Sequence, residues 1–226
     1  MSKRSAETNR RPYEAHRERQ RRRILEAAER LFDERGMERA TMAEITAASG
    51  VRASTVYQYF SNKDEIVWAI VEGVFAEAAA RMKAAAEGAE TALGKIAALA
   101  EVMAEDLAQR RATVRFMAQF DAMYAREWPA ERLIALEARI SKGGFAEFRK
   151  LIRDGVADGS LRSDLDANLT MHAVMNALIG AQRRLASLGD RVEKEYGKPV
   201  DDLFREASRV ILLGLRAEKK DGKKRK

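Results

Sequence analysis

The side chains able to do chemistry in this chain are hydrogen-bond donors and cations gathered on one short stretch. Between residues 52 and 63 stand Arg52, Ser54, Thr55, Tyr57, Gln58, Tyr59 and Lys63. A helix over residues 53–60 turns Val56 and Phe60, four apart, to one face. The opposite face is then polar and aromatic, with almost no acid. Other chemistries lack their residues. There is no Cys, hence no disulfide framework and no thiolate metal site. His16 and His172 are too few and too far apart to suggest a zinc centre. No phosphate-binding Gly loop, HExxH or nucleophile elbow occurs, so no cofactor, metal or catalytic residue is expected.

The elements that must position this face are legible around it. Thr41 followed three residues later by Glu44, just before apolar residues, is a capping box. It predicts a helix from Met42 that carries Ile45 and Ala48 inward and stops at Ser49-Gly50. Gly50 takes the left-handed conformation that a tight helix-to-helix turn needs. Val51 plugs the corner, and the second helix follows from Ala53. A longer helix over 17–35 precedes them, with Ile24, Leu25, Ala28, Leu31 and Phe32 as its apolar stripe and Gly36 as its stop. Asn62 and Glu65 are spaced as another capping box and open a fourth helix. Three helices with the last two as a helix-turn-helix is the expectation, although a hairpin with a Gly turn also occurs as a plain packing unit.

The run T-x-x-E-I-T-A-A-S-G-V-x-x-S-T-V-Y-Q-Y-F-S-N-K-D-E-I resembles the N-terminal domain of the TetR family of bacterial transcriptional regulators. Phe32, Gly36, Thr41, Ile45, Ala48, Gly50, Val51, Thr55, Tyr57, Tyr59, Phe60 and Lys63 carry the resemblance. It covers about the first third of the chain densely. One position departs from it: the family often has Ser where this chain has Arg52, at the N-cap of the recognition helix. Arg52 has no side-chain oxygen for capping, and offers DNA a long cationic donor instead. In a helix-turn-helix the second helix lies in the major groove with its N-terminal residues against base edges. That nominates Arg52, Ala53, Ser54, Thr55 and Tyr57. A guanine read by Arg52 through two hydrogen bonds is worth about 1–3 kcal/mol against a wrong base. The resemblance adds Thr41, Tyr59 and Lys63 as holders of phosphate.

Composition and charge agree with an all-α protein that meets nucleic acid at its ends. The chain has 226 residues, 46% of them apolar, and three prolines. No β-rich run of period two appears. Residues 1–23 hold nine Lys or Arg against three Glu, net +6, and residues 217–226 hold six against two acids, net +4. The whole chain is +7, so the body between is net −3. No apolar signal segment follows the basic N-terminus, and the longest uncharged run, residues 167–182, is too short and polar for a membrane span. No membrane partner and a cytoplasmic location are expected.

Beyond the head, apolar periodicity predicts helices over 62–87, 91–109, 112–126, 129–155 with a kink at Gly143-Gly144, 166–188, and from Pro199 onward, about nine helices in all. The expected organisation is a disordered basic arm (1–16), a helix-turn-helix DNA-binding domain (17–61), a helical ligand-binding and dimerisation domain (62–217) and a basic tail (218–226). Polar groups in apolar surroundings, Gln119, His172 and Asn176, together with Phe116, Phe120 and Tyr124, are candidates to line an effector pocket. That a pocket exists at all is implied by the resemblance. Small residues at three- and four-residue spacing, Ala173, Ala177, Gly180 and Ala181 with Arg184, and the face carrying Phe204, Ala207 and Ile211 are the candidate homodimer seam. The resemblance implies a dimeric repressor on a palindromic double-stranded operator, released by a small, partly apolar effector. A ligand-independent or architectural DNA binder and a transcriptional activator remain alternatives.

Overall fold

The computed structural model describes residues 3–140 and 144–218. Among them it is helical, with a single isolated β-bridge and no strand. Eleven helices follow in order: α1 (Lys3–Arg35), α2 (Met42–Ser49), α3 (Ala53–Tyr59), α4 (Lys63–Glu87), α5 (Ala92–Gln109), α6 (Arg111–Tyr124), α7 (Ala130–Ile140), α8 (Gly144–Ala157), α9 (Ala167–Leu188), α10 (Asp190–Tyr196) and α11 (Val200–Leu215). None of the described helices is long and apolar enough to cross a membrane.

Eleven replaces the expected nine for two local reasons. The single helix expected over 129–155 is two, α7 and α8, on either side of residues 141–143, which lie outside the described residues. The stretch left between the helices expected over 166–188 and from Pro199 contains a further helix, α10, closed by Gly197 in the left-handed region (φ 64°). Helix α1 begins at Lys3, in the stretch expected to be a disordered arm. Much of that stretch is Lys, Arg, Glu and Ala, which favour helix. The tail from residue 219 onward lies outside the described residues.

The chain forms two compact units. One holds residues 1–74 and 119–128, the other 75–118 and 129–226. The first therefore keeps the opening turns of α4, where the expected boundary fell at 61/62, and takes in the end of α6. Its core is built from the apolar stripes of its helices: Ile24, Ala28 and Phe32 on α1, Ile45 on α2, Val56 on α3, and Ile66, Val67 and Ile70 on α4 are all buried. Helix α1 packs against both α2 and α3.

In the second unit α5 packs against α8, α9 and α11, and α9 against α8, α10 and α11. Ile96, Met103, Leu107, Ile152, Met171, Leu178 and Phe204 make its core. One loop joins three of its helices. After α8, Asp158 Oδ2 accepts from the Ala92 amide (3.0 Å) and Ser160 Oγ from the Leu93 amide (3.2 Å), satisfying the first turn of α5. Two residues on, the chain pairs with the segment leaving α11: the Arg162 amide donates to the Leu215 carbonyl and the Ala217 amide to the Ser160 carbonyl. Gly155 admits this approach, because a Cβ there would lie 2.5 Å from Leu161 Cγ.

The Asp158 carboxyl is held below the usual carboxylate range by the Ser160 hydroxyl, and then by the Ala92 amide. A depressed carboxyl stabilises the fold above its unfolded pKa of about 4, and that contribution is lost as pH falls through the folded value. Asp158→Ala should therefore cost about 1 kcal/mol at neutral pH, as the loss of a helix cap does. In thermal melts the gap between variant and parent should narrow as the pH drops below about 4. A gap independent of pH would remove the carboxylate from the account.

Candidate nucleic-acid interface

The helix-turn-helix forms as its capping signals require. The Thr41 hydroxyl accepts from the Glu44 amide, and Glu44 Oε2 accepts from the Thr41 amide at 2.9 Å. The Glu44 carboxyl is held below its ordinary range, first by the Thr41 amide and hydroxyl and further by Arg35, whose Nη1 lies 2.7 Å from Oε1. Helix α2 ends at Gly50 (φ 60°). Buried Ser49 closes the corner by accepting from the Val51 amide (3.1 Å). From α1, Arg23 reaches the Gly50 carbonyl at 3.4 Å, where a Cβ on residue 50 would meet its guanidinium at 2.7 Å.

Helix α3 starts at Ala53 with no side-chain cap from Arg52. Val56 and Phe60 are buried, while Arg52, Ala53, Ser54, Tyr57 and Gln58 are exposed together and Thr55 is half-buried. Tyr57, at 53% exposure, points outward and does not pack under the helix. Arg52 has no partner among the described residues and is available to a ligand. The far end of α3 is braced by α1. The Tyr59 hydroxyl donates to the Arg17 carbonyl (3.1 Å), the Arg17 guanidinium sits 5.7 Å from the Tyr59 ring centre, and Arg21 stands in the same relation to Phe60.

Three residues expected to hold phosphate are occupied within the protein. Thr41 gives its hydroxyl proton to Glu44. Tyr59 is turned to α1. Lys63 donates to the carbonyls of Met37 (2.8 Å), Glu38 (3.0 Å) and Ala40 (2.9 Å). An ammonium has three donors, and all three are used. The first turn of α4 is also closed. Asn62 Oδ1 accepts from the Glu65 amide as expected, but the Glu65 carboxylate binds the amide and hydroxyl of Ser61, one residue earlier than the capping-box spacing implied.

The expected effector-pocket residues are divided between the two units. Phe116 is buried and belongs to the second unit. Phe120 and Tyr124 belong to the first, in an aromatic cluster with Trp68 and Trp128. The Tyr124 hydroxyl donates to Asp64. Gln119 spends its amide on the backbone around the end of α1. His172 and Asn176 are exposed on α9, where the Asn176 amide bonds the His172 carbonyl.

The expected seam is partly redrawn. Ala173, Ala177, Gly180 and Arg184 are exposed along one face of α9, continued by Leu169 at 70% exposure. Ala181 is half-buried against the core. Phe204 is fully buried and cannot face a partner, while Ala207 and Ile211 are half-buried. On α11 the large exposed apolar residues are Val210 and Leu213, whose spacing gave no sign of which side of the helix the core would take. Arg23 and the Gln119 contact were not anticipated either. Arg23 is one of three consecutive arginines, and nothing local singles it out.

These features define a helix-turn-helix DNA-binding protein with a second helical unit. Residues 24–70 match the family model described as bacterial regulatory proteins, tetR family. Similar proteins include the transcriptional repressor KstR2 of Rhodococcus jostii (strain RHA1), 26% identical over 182 residues, covering 76% of this chain and 85% of that one. The regulator UidR of Escherichia coli (strain K12) is 27% identical over 209 residues, covering 86% and 88%. In fold the chain is similar to KstR2 of Mycobacterium tuberculosis, with a TM-score of 0.65 at 22% identity over 88% of this chain and 95% of that one. It is also similar to the MbdR regulator of Azoarcus sp. CIB, with a TM-score of 0.66 at 20% identity over 87% and 98%. Residues 24–70 thus carry the DNA-binding domain of bacterial regulatory proteins of the tetR family, and the relatives similar to most of the chain are transcriptional regulators.

The Lys63 geometry separates a brace from a phosphate contact. Lys63→Met should lower the stability of the DNA-binding head by about 2 kcal/mol, the scale of hydrogen bonds to a charged group, and leave the salt dependence of DNA binding unchanged. A phosphate contact predicts the reverse: unchanged melting, and a slope of log affinity against log salt reduced by about 1.

Proposed function

We propose that this protein is a dimeric repressor that reads a palindromic operator and is released from it by a small, partly apolar ligand. The observation that carries the reading is the α3 face. Arg52, Ala53, Ser54, Tyr57 and Gln58 stand exposed at the open end of a short helix whose other side is locked into the head. Arg52 and Ser54 are the base readers, and Thr55 and Tyr57 complete the contact surface.

A single such helix spans only a few base pairs, so two heads on half-sites about 34–36 Å apart, or a multiple, supply the needed specificity. The exposed α9 face with Val210 and Leu213 of α11 is the surface that pairs them. Leu169, Val210 and Leu213 are each more than half exposed in the isolated chain. Small residues between them permit the close approach of a helical bundle. The nature of the ligand rests on relatives: one similar structure is described as a ketosteroid transcriptional regulator and another as a fatty acid degradation regulator. Repression likewise rests on relatives named as repressors. The protein acts in the cytoplasm and is not an enzyme.

The test is selection from a library of random duplex DNA, followed by affinity against salt and by sedimentation of the free protein. The expected outcome is a (pseudo)palindrome with steep salt dependence, bound by a dimer. Arg52→Ala should then weaken binding by about 1–3 kcal/mol and relax preference at one position in each half-site. Weak binding without sequence preference would overturn the reading in favour of an architectural role. A selected operator bound by a monomer would overturn the seam alone.

A further inference from the structure

The loop between α1 and α2 is held from outside by two side chains, and one of them comes from α6. Gly36, in the left-handed region (φ 86°), turns the chain sharply after α1. Its amide donates to the Phe32 carbonyl in the ordinary way (3.0 Å). The next amide, that of Met37, points off the helix axis although Met37 is almost fully buried. A buried amide with no acceptor is costly. Gln119 Oε1 supplies the acceptor at 2.7 Å, and the same side chain's Nε2 donates to the second lone pair of the Phe32 carbonyl at 3.1 Å. Only one orientation of the amide satisfies both partners, because a carbonyl cannot donate and an N–H cannot accept. Glu at this position would lose the donor, and an apolar residue would lose both bonds. Along the same loop, Lys63 binds the carbonyls of Met37, Glu38 and Ala40. The loop thus has its amide fixed from α6 and its carbonyls fixed from α4, and it ends at Thr41, the cap of the helix-turn-helix.

We propose that Gln119 is a positioning residue for DNA recognition, through which α6 sets the α1–α2 loop and so the presentation of α3. The inference rests on α3 being the operator-reading helix. Its neighbours support the role. One residue on, Phe120 packs edge-on to Trp68 of α4 at 5.3 Å, and one turn on, Tyr124 bonds Asp64 in the first turn of α4. The end of α6 is therefore built into the head at a hydrogen-bonded point on α1 and an aromatic point on α4. Helix α6 is continuous from Arg111. Of those two points, the one on α1 is the one that bears on the turn into α2.

The experiment uses the full-length chain with Gln119→Met, which keeps the length of the side chain and removes both hydrogen bonds. Two quantities are measured well below the melting temperature: the ratio of affinity for the selected operator to that for a scrambled duplex, and amide exchange over residues 37–59. The expected result is an operator affinity about tenfold weaker, with scrambled binding, which rests on phosphate charge, unchanged. Amide exchange should be faster at Met37 and through α2. Parallel loss of both affinities would show a purely structural role and overturn the proposal, as would an operator affinity equal to the parent's. If the parent selects no operator, the reading of α3 fails by itself. Exchange then decides the brace: acceleration reaching α2 and α3 upholds it, and acceleration confined to Met37 or absent overturns it. Should Gln119→Met not fold, Gln119→Glu, which keeps only the acceptor for Met37, is judged by the same ratio and the same exchange pattern.

Discussion

The structure of the DNA-binding head depends on satisfying the backbone of five residues, 36–40. A sharp left-handed turn at Gly36 frees α2 to cross α1, but it strips the following peptide groups of helical partners. Water would serve them if the loop were open. Met37 and Ala40 are each only 1% exposed, so their polar groups must be met by protein. The Lys63 ammonium and the Gln119 amide do so with four hydrogen bonds to the loop, and Gln119 adds a fifth to the Phe32 carbonyl. An ammonium is suited to three converging carbonyls, and a primary amide to a carbonyl and an N–H side by side. Neither could replace the other.

The recognition helix is a passenger on this arrangement. Seven residues are too few to hold a helix in water alone, and α3 has no side-chain cap at its start. It persists because Val56 and Phe60 are buried, because Arg17 and Arg21 lie over the rings of Tyr59 and Phe60, and because the Tyr59 hydroxyl is tied to α1. Its exposed half carries little of this burden. Arg52, Ser54 and Gln58 are exposed and take no part in holding the helix to the head. Arg52 illustrates the point: it gives up the cap that Ser would provide, and the helix still begins at Ala53.

The sequence made local features plain and distant ones invisible, for a physical reason. Caps are contacts between residues three apart, so Thr41–Glu44, Thr91 and Asp166 were readable as helix starts, and the structure has helices from Met42, Ala92 and Ala167. Gly50 was readable because a tight turn demands its conformation. Gln119 was not, since its partners lie 82 and 87 residues away. Set between Met117 and Phe120, it looked like a polar group lining a pocket. Lys63 was expected from the resemblance to hold phosphate, and nothing local reveals the three carbonyls it binds in a loop some 25 residues earlier. The kink expected at Gly143-Gly144 falls at residues 141–143, which lie outside the described residues. On α11 periodicity showed an apolar helix without showing which side faced inward, and Phe204 was assigned to the wrong side.

That last error bears on how the second unit is organised. Helix α11 is apolar on more of its circumference than one core requires. Phe204 and Leu215 face α5 and α9 and are buried, while Val210 and Leu213 face away and are not. An exposed Val or Leu standing singly is ordinary on a protein surface. Here two occur within one turn of α11, and α9 carries exposed Leu169, Ala173, Ala177 and Gly180 along one face. Among the described residues, no neighbouring element comes within 4 Å of where a Cβ on Gly180 or Gly214 would stand, so packing inside the subunit does not require the glycines. Small residues that serve no close approach within the chain are suited to one outside it. In the pairing proposed above, Arg184 at the end of the α9 stripe would lie at the rim, where a charge steers the register of pairing and adds little to its strength.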